Sequence, residues 1–95
     1  KAKWKPGGTI RVIFEGIKYD TFLEKNILGV MGGIPGVNAV NDRGVSFGNT
    51  IVVEVDALMD GNKFYRLFKD LKEEMGINFQ SKFVKGNTVH LIIKK

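Results

Sequence analysis

Hydrophobic and polar residues alternate in two segments of the chain. Residues 9–16 (TIRVIFEG) alternate in part, and residues 50–58 (TIVVEVDAL) alternate more regularly, with Glu54 and Asp56 on the polar side. This pattern is typical of a β-strand that buries one face. Ile13 stands between two charged residues on the polar side of the first segment. We therefore predict two strands, the first of which lies inside the sheet and has contacts on both faces.

Two other segments carry apolar residues at three- and four-residue spacing, which is typical of an amphipathic helix. In the first segment the apolar positions run from Leu23 to Ile34, and Asp20 is the candidate N-cap. In the second segment residues 60–62 offer N-caps, and Gly76 has the position of a C-terminal glycine. The apolar stripe of this second segment consists of Phe64, Leu67, Phe68, Leu71 and Met75. The spacing predicts two helices that each bury one side.

The remaining apolar segments have the composition of strands. Residues 37–47 predict a strand that is interrupted around residues 41–44, where we expect a bulge or a bend. Gly48 and Asn49 (residues 48–49) tolerate positive φ angles and predict a hairpin turn. Residues 78–84 and 88–94 predict a final hairpin.

The predicted order is β-α-β-β-α-β followed by a C-terminal hairpin strand. Repeated β-α-β units predict an α+β protein with a ferredoxin-like two-layer sandwich. In that fold two helices lie on one face of an antiparallel sheet, and right-handed crossovers place the first and third strands at its centre. The length of 95 residues suits one domain, so we assign residues 9–95 to it and residues 1–8 to a flexible basic lead-in.

The formal charge of +5 arises at the ends of the chain. The sequence has 15 basic and 10 acidic residues. Five of the basic residues are terminal: Lys1, Lys3, Lys5, Lys94 and Lys95. Residues 6–93 hold the other ten basic residues and all ten acidic ones, so this part of the chain has no net charge. The charge therefore does not predict a basic patch on the folded domain.

Residue types that carry catalytic or metal chemistry are few. The chain has no cysteine, which excludes disulfides, thiolate metal sites and cysteine nucleophiles. Its single histidine, His90, alternates with apolar neighbours, so we interpret it as a strand residue and not as a base or a metal ligand. Glu54 and Asp56 share one strand face, and a single carboxylate pair favours a solvated face over a cation site. Residues 29–36 are rich in glycine but follow a helix, whereas phosphate loops precede one. We therefore predict no enzymatic activity, no metal and no cofactor.

Apolar residues on the outward side of the predicted strands indicate a surface that binds protein. The residues assigned to this surface are Ile13, Val52, Phe79, Phe83 and Ile92. A contiguous apolar patch on an uncovered sheet face is typical of an interaction site. The final hairpin also leaves an edge that a partner strand could extend. No apolar run reaches the roughly 18–20 residues of a membrane helix, so we expect no membrane span.

Two other functions fit the same topology. RNA-recognition domains share it, but they stack bases on aromatic residues of the central strands, where this sequence has Glu15, Glu54 and Asp56. Because carboxylates repel phosphate, nucleic acid is the less favoured partner. The residues that would serve this alternative are Lys1, Lys3, Trp4, Lys5, Arg11, Lys94 and Lys95. A domain that binds a regulatory small ligand is the third possibility, and its melting temperature would rise with ligand.

Residues in both predicted helices and in the segment between them carry a family resemblance. The residues that carry it are Tyr19, Phe22 and Leu23, residues 34–37 (IPGV) with Val40, Arg43, residues 46–49 (SFGN), and Phe64, Leu67 and Leu71. In these residues the chain resembles bacterial envelope domains similar to the N-terminal domain of flagellar assembly protein T, over about residues 9–94. The resemblance implies a ferredoxin-like domain in the periplasm or cell envelope. It also implies a non-catalytic role in assembling a ring, filament or appendage, with other proteins or with copies of itself.

Overall fold

Five strands and four short helices follow one another along the chain. The structure is a computed structural model, and it describes residues 9–46 and 50–94. The elements are β1 (Thr9–Glu15), α1 (Tyr19–Glu24), α2 (Ile27–Gly32), β2 (Val37–Ser46), β3 (Thr50–Ala57), α3 (Gly61–Lys69), α4 (Lys72–Met75), β4 (Asn78–Lys85) and β5 (Thr88–Lys94). The prediction of an α+β protein is confirmed. The predicted lead-in at residues 1–8 and the predicted turn at residues 48–49 lie outside the described residues.

The five strands form one mixed sheet in the order β2-β3-β1-β5-β4. As predicted, β1 lies at the centre and pairs with β3 antiparallel. The prediction of a fully antiparallel sheet was wrong, because β5 pairs with β1 in parallel. The ferredoxin-like order is not confirmed on this side, since that order would place the first strand after the second helical segment, β4, next to β1.

The composition of the two final strands explains why β5, and not β4, lies beside β1. In β5, Val89 and Leu91 are fully buried, whereas β4 buries only Phe79 among its residues. The edge strand β4 also carries Lys82 and Lys85, both exposed. Lysines on an edge strand discourage pairing with other chains, and the more apolar strand gains most from a central position.

The hydrophobic core lies between one face of the sheet and the helices. Its buried side chains form a single cluster. The sheet contributes Ile10, Val12, Phe14, Ile51, Val53, Val55, Ala57, Phe79, Val89 and Leu91, and the helices contribute Phe22, Ile27, Met31, Phe64, Phe68 and Met75. This arrangement is compatible with the predicted two-layer sandwich, and it leaves the second face of the sheet without a helix from the described residues.

The first predicted helix is divided at Asn26, whose φ of 57° is left-handed. The interruption shifts the buried positions, so that Phe22 is buried and Leu23, which the periodicity places in the core, is 46% exposed. The predicted N-cap was also wrong. The N-cap of α1 is Lys18, which makes no capping hydrogen bond with its side chain, and Asp20 lies in the first turn.

The ends of the second helical segment agree with the sequence. Asp60 is the N-cap of α3, and its carboxylate accepts a hydrogen bond from the backbone N–H of Lys63 at 2.9 Å. Gly76 ends α4 with a left-handed φ of 69°. Between these points the helix is divided at Asp70 and Leu71, which the continuous apolar stripe does not indicate.

The predicted interruption of the second strand is confirmed. The register of β2 against β3 shifts between Asp42 and Val45, and Gly44 has a φ of 78°. Within the shift the backbone N–H of Gly44 donates to the carboxylate of Asp42 at 2.7 Å. The bulge therefore fixes the position of Asp42, whose carboxylate also accepts a hydrogen bond from the hydroxyl of Tyr19.

Candidate functional site

The uncovered face of the sheet presents one continuous row of side chains across four strands. Ile13 in β1 pairs with Val52 in β3 and with His90 in β5, and His90 pairs with Phe83 in β4. We call these four residues the central row. Ile92 lies two positions beyond His90 on the same strand, so it is on the same face. The register thus brings four of the five predicted partner-binding residues onto one surface.

These side chains differ in how much surface they expose. Ile13, Val52 and Ile92 are half-buried, and Phe83 is 43% exposed. The assignment of Phe79 to this surface was wrong, since Phe79 is 1% exposed and its ring stacks on Phe68 with centroids 5.2 Å apart. Simple alternation places residues 79 and 83 on one face, but the register shifts between Ser81 and Phe83. This bulge turns Phe83 to the uncovered face and leaves Phe79 in the core.

His90 is held in the central row by a carboxylate. Its Nε2 lies 2.8 Å from Oε1 of Glu15, and Nζ of Lys82 lies 3.7 Å from the same oxygen. The hydrogen bond from His90, with the positive charge of Lys82, holds the pKa of Glu15 below its ordinary value of 4.5. The ring of Phe83 meets the His90 imidazole edge to face, with centroids 5.4 Å apart. His90 is thus a packed strand residue bound to a carboxylate.

A second charged group lies on the other side of the row. Glu54 accepts hydrogen bonds from Nε and Nη2 of Arg43 at 3.0 and 2.9 Å, and Nη2 of Arg11 lies 3.4 Å from its second oxygen. The Arg43 guanidinium, bonded to this carboxylate, holds the pKa of Glu54 below 4.5. The sequence offers Glu54 and Asp56 as a cation site but disfavours it. In the structure the carboxylate of Glu54 binds two arginines instead. Among the residues that the structure describes, no group of three or more His, Asp or Glu side chains could hold a metal ion.

The residues proposed for nucleic-acid binding do not come together in the described part of the chain. Arg11 lies on the uncovered face and pairs with Glu54, while Lys94 lies at the end of β5. The others, Lys1, Lys3, Trp4, Lys5 and Lys95, lie outside the described residues. The carboxylates of Glu15, Glu54 and Asp56 stand on the face where an RNA-recognition domain stacks bases, as the alternation predicts.

A separate cleft of about 1350 Å³ lies on the helical side of the sheet. It opens between α1 and α4, at the end of the sheet where the parallel strands β1 and β5 both stop. Its apolar lining includes Ile17, Ile77 and Ile93, all half-buried. The ring of Tyr19 also lines it and is fixed in place, because it stacks on Phe22 at 6.3 Å and its hydroxyl donates to Asp42.

Four lysines from separate segments line this cleft. Lys18 precedes α1, Lys25 follows it, Lys72 begins α4 and Lys94 ends β5. The lining contains one acidic residue, Glu73, so four positive charges face one negative charge. The ion pairs found in the described residues involve none of these four lysines. We call this site the lysine cleft.

Sequence reasoning missed the lysine cleft because its residues are scattered along the chain. Lys18, Lys25 and Lys72 have no basic residue next to them and lie in a part of the chain, residues 6–93, that has no net charge. Lys94 belongs with Lys95 to the basic C-terminal end. No local signal marks this set, since Lys25 and Lys72 fall inside the two predicted helices. The four lysines line one cleft only because both helical segments are divided and β5 pairs in parallel with β1.

Comparisons of the chain with protein-family models, with curated proteins and with solved structures found no match. The helices in the described part of the chain are all too short to cross a membrane.

Proposed function

We propose that this domain is a non-catalytic binding module for another protein, and that it contacts its partner through the uncovered face of the sheet. The observation that carries the proposal is the central row of Val52, Ile13, His90 and Phe83, which crosses four strands without interruption. A row of apolar and aromatic side chains on a rigid sheet offers contact area at small cost in side-chain entropy.

The charged groups beside the row give this surface the layout of a protein interface. The ion pairs of Glu54 lie on one side of the row, and Glu15 with Lys82 lies on the other, where Glu15 also binds His90 of the row. Interfaces typically combine an apolar centre with a polar rim that sets the orientation of the partner. Lys82 and Lys85 on the edge strand β4 disfavour the other mode that the sequence suggests, addition of a partner strand.

The place of action that we propose is the bacterial periplasm or cell envelope, in the assembly of a ring, filament or appendage. Its support is the resemblance of residues 34–37, Arg43 and Ser46 to envelope assembly domains with a ferredoxin-like fold. Two of these residues have structural roles here: Ile34 is buried, and Arg43 binds Glu54. Self-association through the same face is one form that such an assembly could take.

Site-specific photocrosslinking in cells tests the proposal. A benzophenone amino acid replaces Phe83 in the full-length protein, and the matched control carries it in place of Leu23, which is 46% exposed on the helical layer. We expect one discrete adduct with an envelope protein, or with a second copy, from position 83 only. The substitution Val52→Lys should abolish this adduct, because it places a charge in the central row, whereas Leu23→Lys should leave it unchanged.

Three results would contradict the proposal. Equal crosslinking from positions 83 and 23 would show that the sheet face has no special role, and confinement of the full-length protein to the cytosol would remove the envelope assignment. The third concerns the RNA alternative. Salt-dependent binding of single-stranded RNA that persists after removal of residues 1–8 and 94–95 would indicate a nucleic-acid site on the folded domain.

A further inference from the structure

We propose that the lysine cleft binds a phosphorylated small molecule that has an aromatic part, with a nucleoside diphosphate as the simplest representative. This inference is independent of the proposed protein contact, because the cleft lies on the helical side of the sheet and shares no residue with the central row.

The charge of the cleft determines the kind of ligand. Lys18, Lys25, Lys72 and Lys94 face one carboxylate, that of Glu73. None of these lysines is neutralised by an ion pair with a described residue. Ammonium groups that line one cleft repel one another, and an anion bound among them relieves this repulsion.

The positions of two lysines show that the site is formed by tertiary structure. Nζ of Lys25 lies 3.6 Å from the point where a Cβ on Gly76 would stand, so this side chain reaches across from the end of α1 to the end of α4. Nζ of Lys72 lies 3.3 Å from Oδ1 of Asn78 and 4.7 Å above the ring of Phe79, which holds it at the wall of the cleft. Lys72 is therefore held in position before any ligand arrives, and Lys25 lies close to the end of the same helix, α4.

The apolar part of the cleft lining indicates which chemical group of the ligand accompanies the phosphates. The ring of Tyr19 is immobilised by Phe22 and Asp42, and Ile17 and Ile77 continue the apolar wall. A fixed aromatic ring beside aliphatic side chains suits a flat aromatic group, while the lysines take the phosphates. The volume of about 1350 Å³ leaves ample room for a nucleotide-sized molecule.

Isothermal titration calorimetry with three probes tests this assignment. The probes are ADP, inorganic pyrophosphate and adenosine. ADP presents both the phosphates and the aromatic ring, pyrophosphate presents the charge alone, and adenosine presents the ring without the phosphates. We expect saturable binding of ADP, weaker binding of pyrophosphate and still weaker binding of adenosine. The affinity for ADP should fall as salt concentration rises, because the phosphate contacts are electrostatic.

Substitution of lysines separates the cleft from general charge attraction. The double variant Lys18→Ala/Lys25→Ala should raise the Kd for ADP by about tenfold or more, since charge-assisted hydrogen bonds to phosphate are lost. The control Lys63→Ala/Lys85→Ala removes the same charge from exposed positions outside the cleft and should change the Kd by less than about twofold. If Lys25→Ala impairs folding, Lys18→Ala/Lys94→Ala replaces the first pair.

Several outcomes would overturn the inference. The absence of saturable ADP binding would overturn it. An equal loss of ADP affinity in Lys18→Ala/Lys25→Ala and in the control Lys63→Ala/Lys85→Ala would also overturn it. Equal affinity for adenosine and ADP would show that the lysines do not contact the ligand. Tighter binding of a single-stranded oligonucleotide than of ADP, with the same dependence on the cleft lysines, would reassign the cleft to a macromolecule. The first three results do not bear on crosslinking at Phe83, so the failure of this inference and the failure of the proposed protein contact can be told apart.

Discussion

Nε2 of His90 lies 2.8 Å from Oε1 of Glu15, a contact between residues 75 positions apart that ties β5 to β1 across the parallel pairing. Lys82 in the edge strand β4 approaches the same oxygen at 3.7 Å. One carboxylate therefore links three adjacent strands on the uncovered face. Because these contacts stabilise the ionised form, the pKa of Glu15 lies below 4.5 in the folded protein.

The first prediction concerns the loss of folding stability at low pH. A carboxyl group whose pKa is lowered by folding adds stability above its unfolded pKa, and this stability is lost as pH falls through the folded pKa. We therefore expect Glu15→Gln to be less stable than the native protein at neutral pH, and we expect the difference to shrink as pH falls below 4.5. Urea denaturation at a series of pH values measures it.

Glu24→Gln is the matched control for this experiment. Glu24 is exposed at the end of α1, away from the ion pairs of the described residues. The variant removes one carboxylate without touching the contact between β1 and β5. A stability gap for Glu15→Gln that stays constant from neutral pH to below 4.5, or one that Glu24→Gln reproduces, would contradict the proposed role of the His90 contact.

The second prediction compares neighbours on the apolar stripe of α3. Phe68 is fully buried and lies within ring contact of three other phenylalanines, whereas Leu67 is only half-buried. Phe68→Ala should lower the free energy of unfolding by about 3–5 kcal/mol, since it removes apolar area and leaves a cavity. Leu67→Ala should cost less than about 2 kcal/mol. Denaturant titration of both variants checks the difference.

The stripe on its own does not distinguish these two positions, so the comparison also tests where the helix packs. Similar losses for both variants would mean that the helix is rotated toward Leu67. The helical segment is divided at Asp70 and Leu71, and Met75 beyond the division is buried in the core.

Local signals predict most of the elements. The strand composition of residues 88–94 predicts β5 with its observed bounds, and the bulge around Gly44 follows from a glycine inside a strand. The ends of the second helical segment follow equally from Asp60 and Gly76. Each of these features is determined by the conformational preference of one residue or by a pattern within a few residues. A short stretch of sequence is therefore enough to predict it.

Features that depend on distant contacts are not predictable in this way. The parallel pairing of Ile13 with His90 decides that β5 and not β4 lies beside β1, and it results from competition between strands for a central place. A register shift between Ser81 and Phe83 then places Phe83 on the face opposite to that of Phe79. The lysine cleft depends on the same pairing, since Lys94 reaches it only because β5 ends beside β1.

The third prediction concerns a close approach of two backbone segments. The N–H of Gly61 donates to the carbonyl of Gly86 at 3.1 Å, which joins the start of α3 to the turn between β4 and β5. A Cβ at position 61 would stand 2.6 Å from that carbonyl oxygen and 3.3 Å from a methyl group of Val89. Gly61→Ala should therefore destabilise the protein by about 1–3 kcal/mol, because backbone must shift to relieve the overlap.

Gly32→Ala is the control for the effect of adding a methyl group. Gly32 is the last residue of α2, and its nearest neighbour would be a methyl group of Val40 at 3.9 Å. Alanine has the higher helix propensity, so this variant should be neutral or more stable by up to about 1 kcal/mol. Urea denaturation of the two variants gives both values. Equal effects would show that α3 does not meet the hairpin turn as described.

The fourth prediction concerns Tyr19, whose ring lines the lysine cleft. Its hydroxyl donates a hydrogen bond to the carboxylate of Asp42, and this bond, with burial and the negative charge of Asp42, raises the pKa of Tyr19 above 10.0. A group whose pKa is raised by folding adds stability below its unfolded pKa, and this stability is lost as pH rises through the folded pKa. Tyr19→Phe should therefore be less stable than the native protein at neutral pH, and the difference should shrink in alkali above pH 10.0.

The ionisation of Tyr19 can be followed directly, since the chain has two tyrosines and the other is Tyr65. In a Tyr65→Phe background the ultraviolet absorbance of tyrosinate reports Tyr19 alone, and we expect its midpoint above 10.0. Adding Asp42→Asn removes the negative charge that opposes ionisation, so the midpoint should move down toward 10.0. A midpoint at or below 10.0, or one that Asp42→Asn leaves in place, would mean that Asp42 does not hold the ring in the cleft wall.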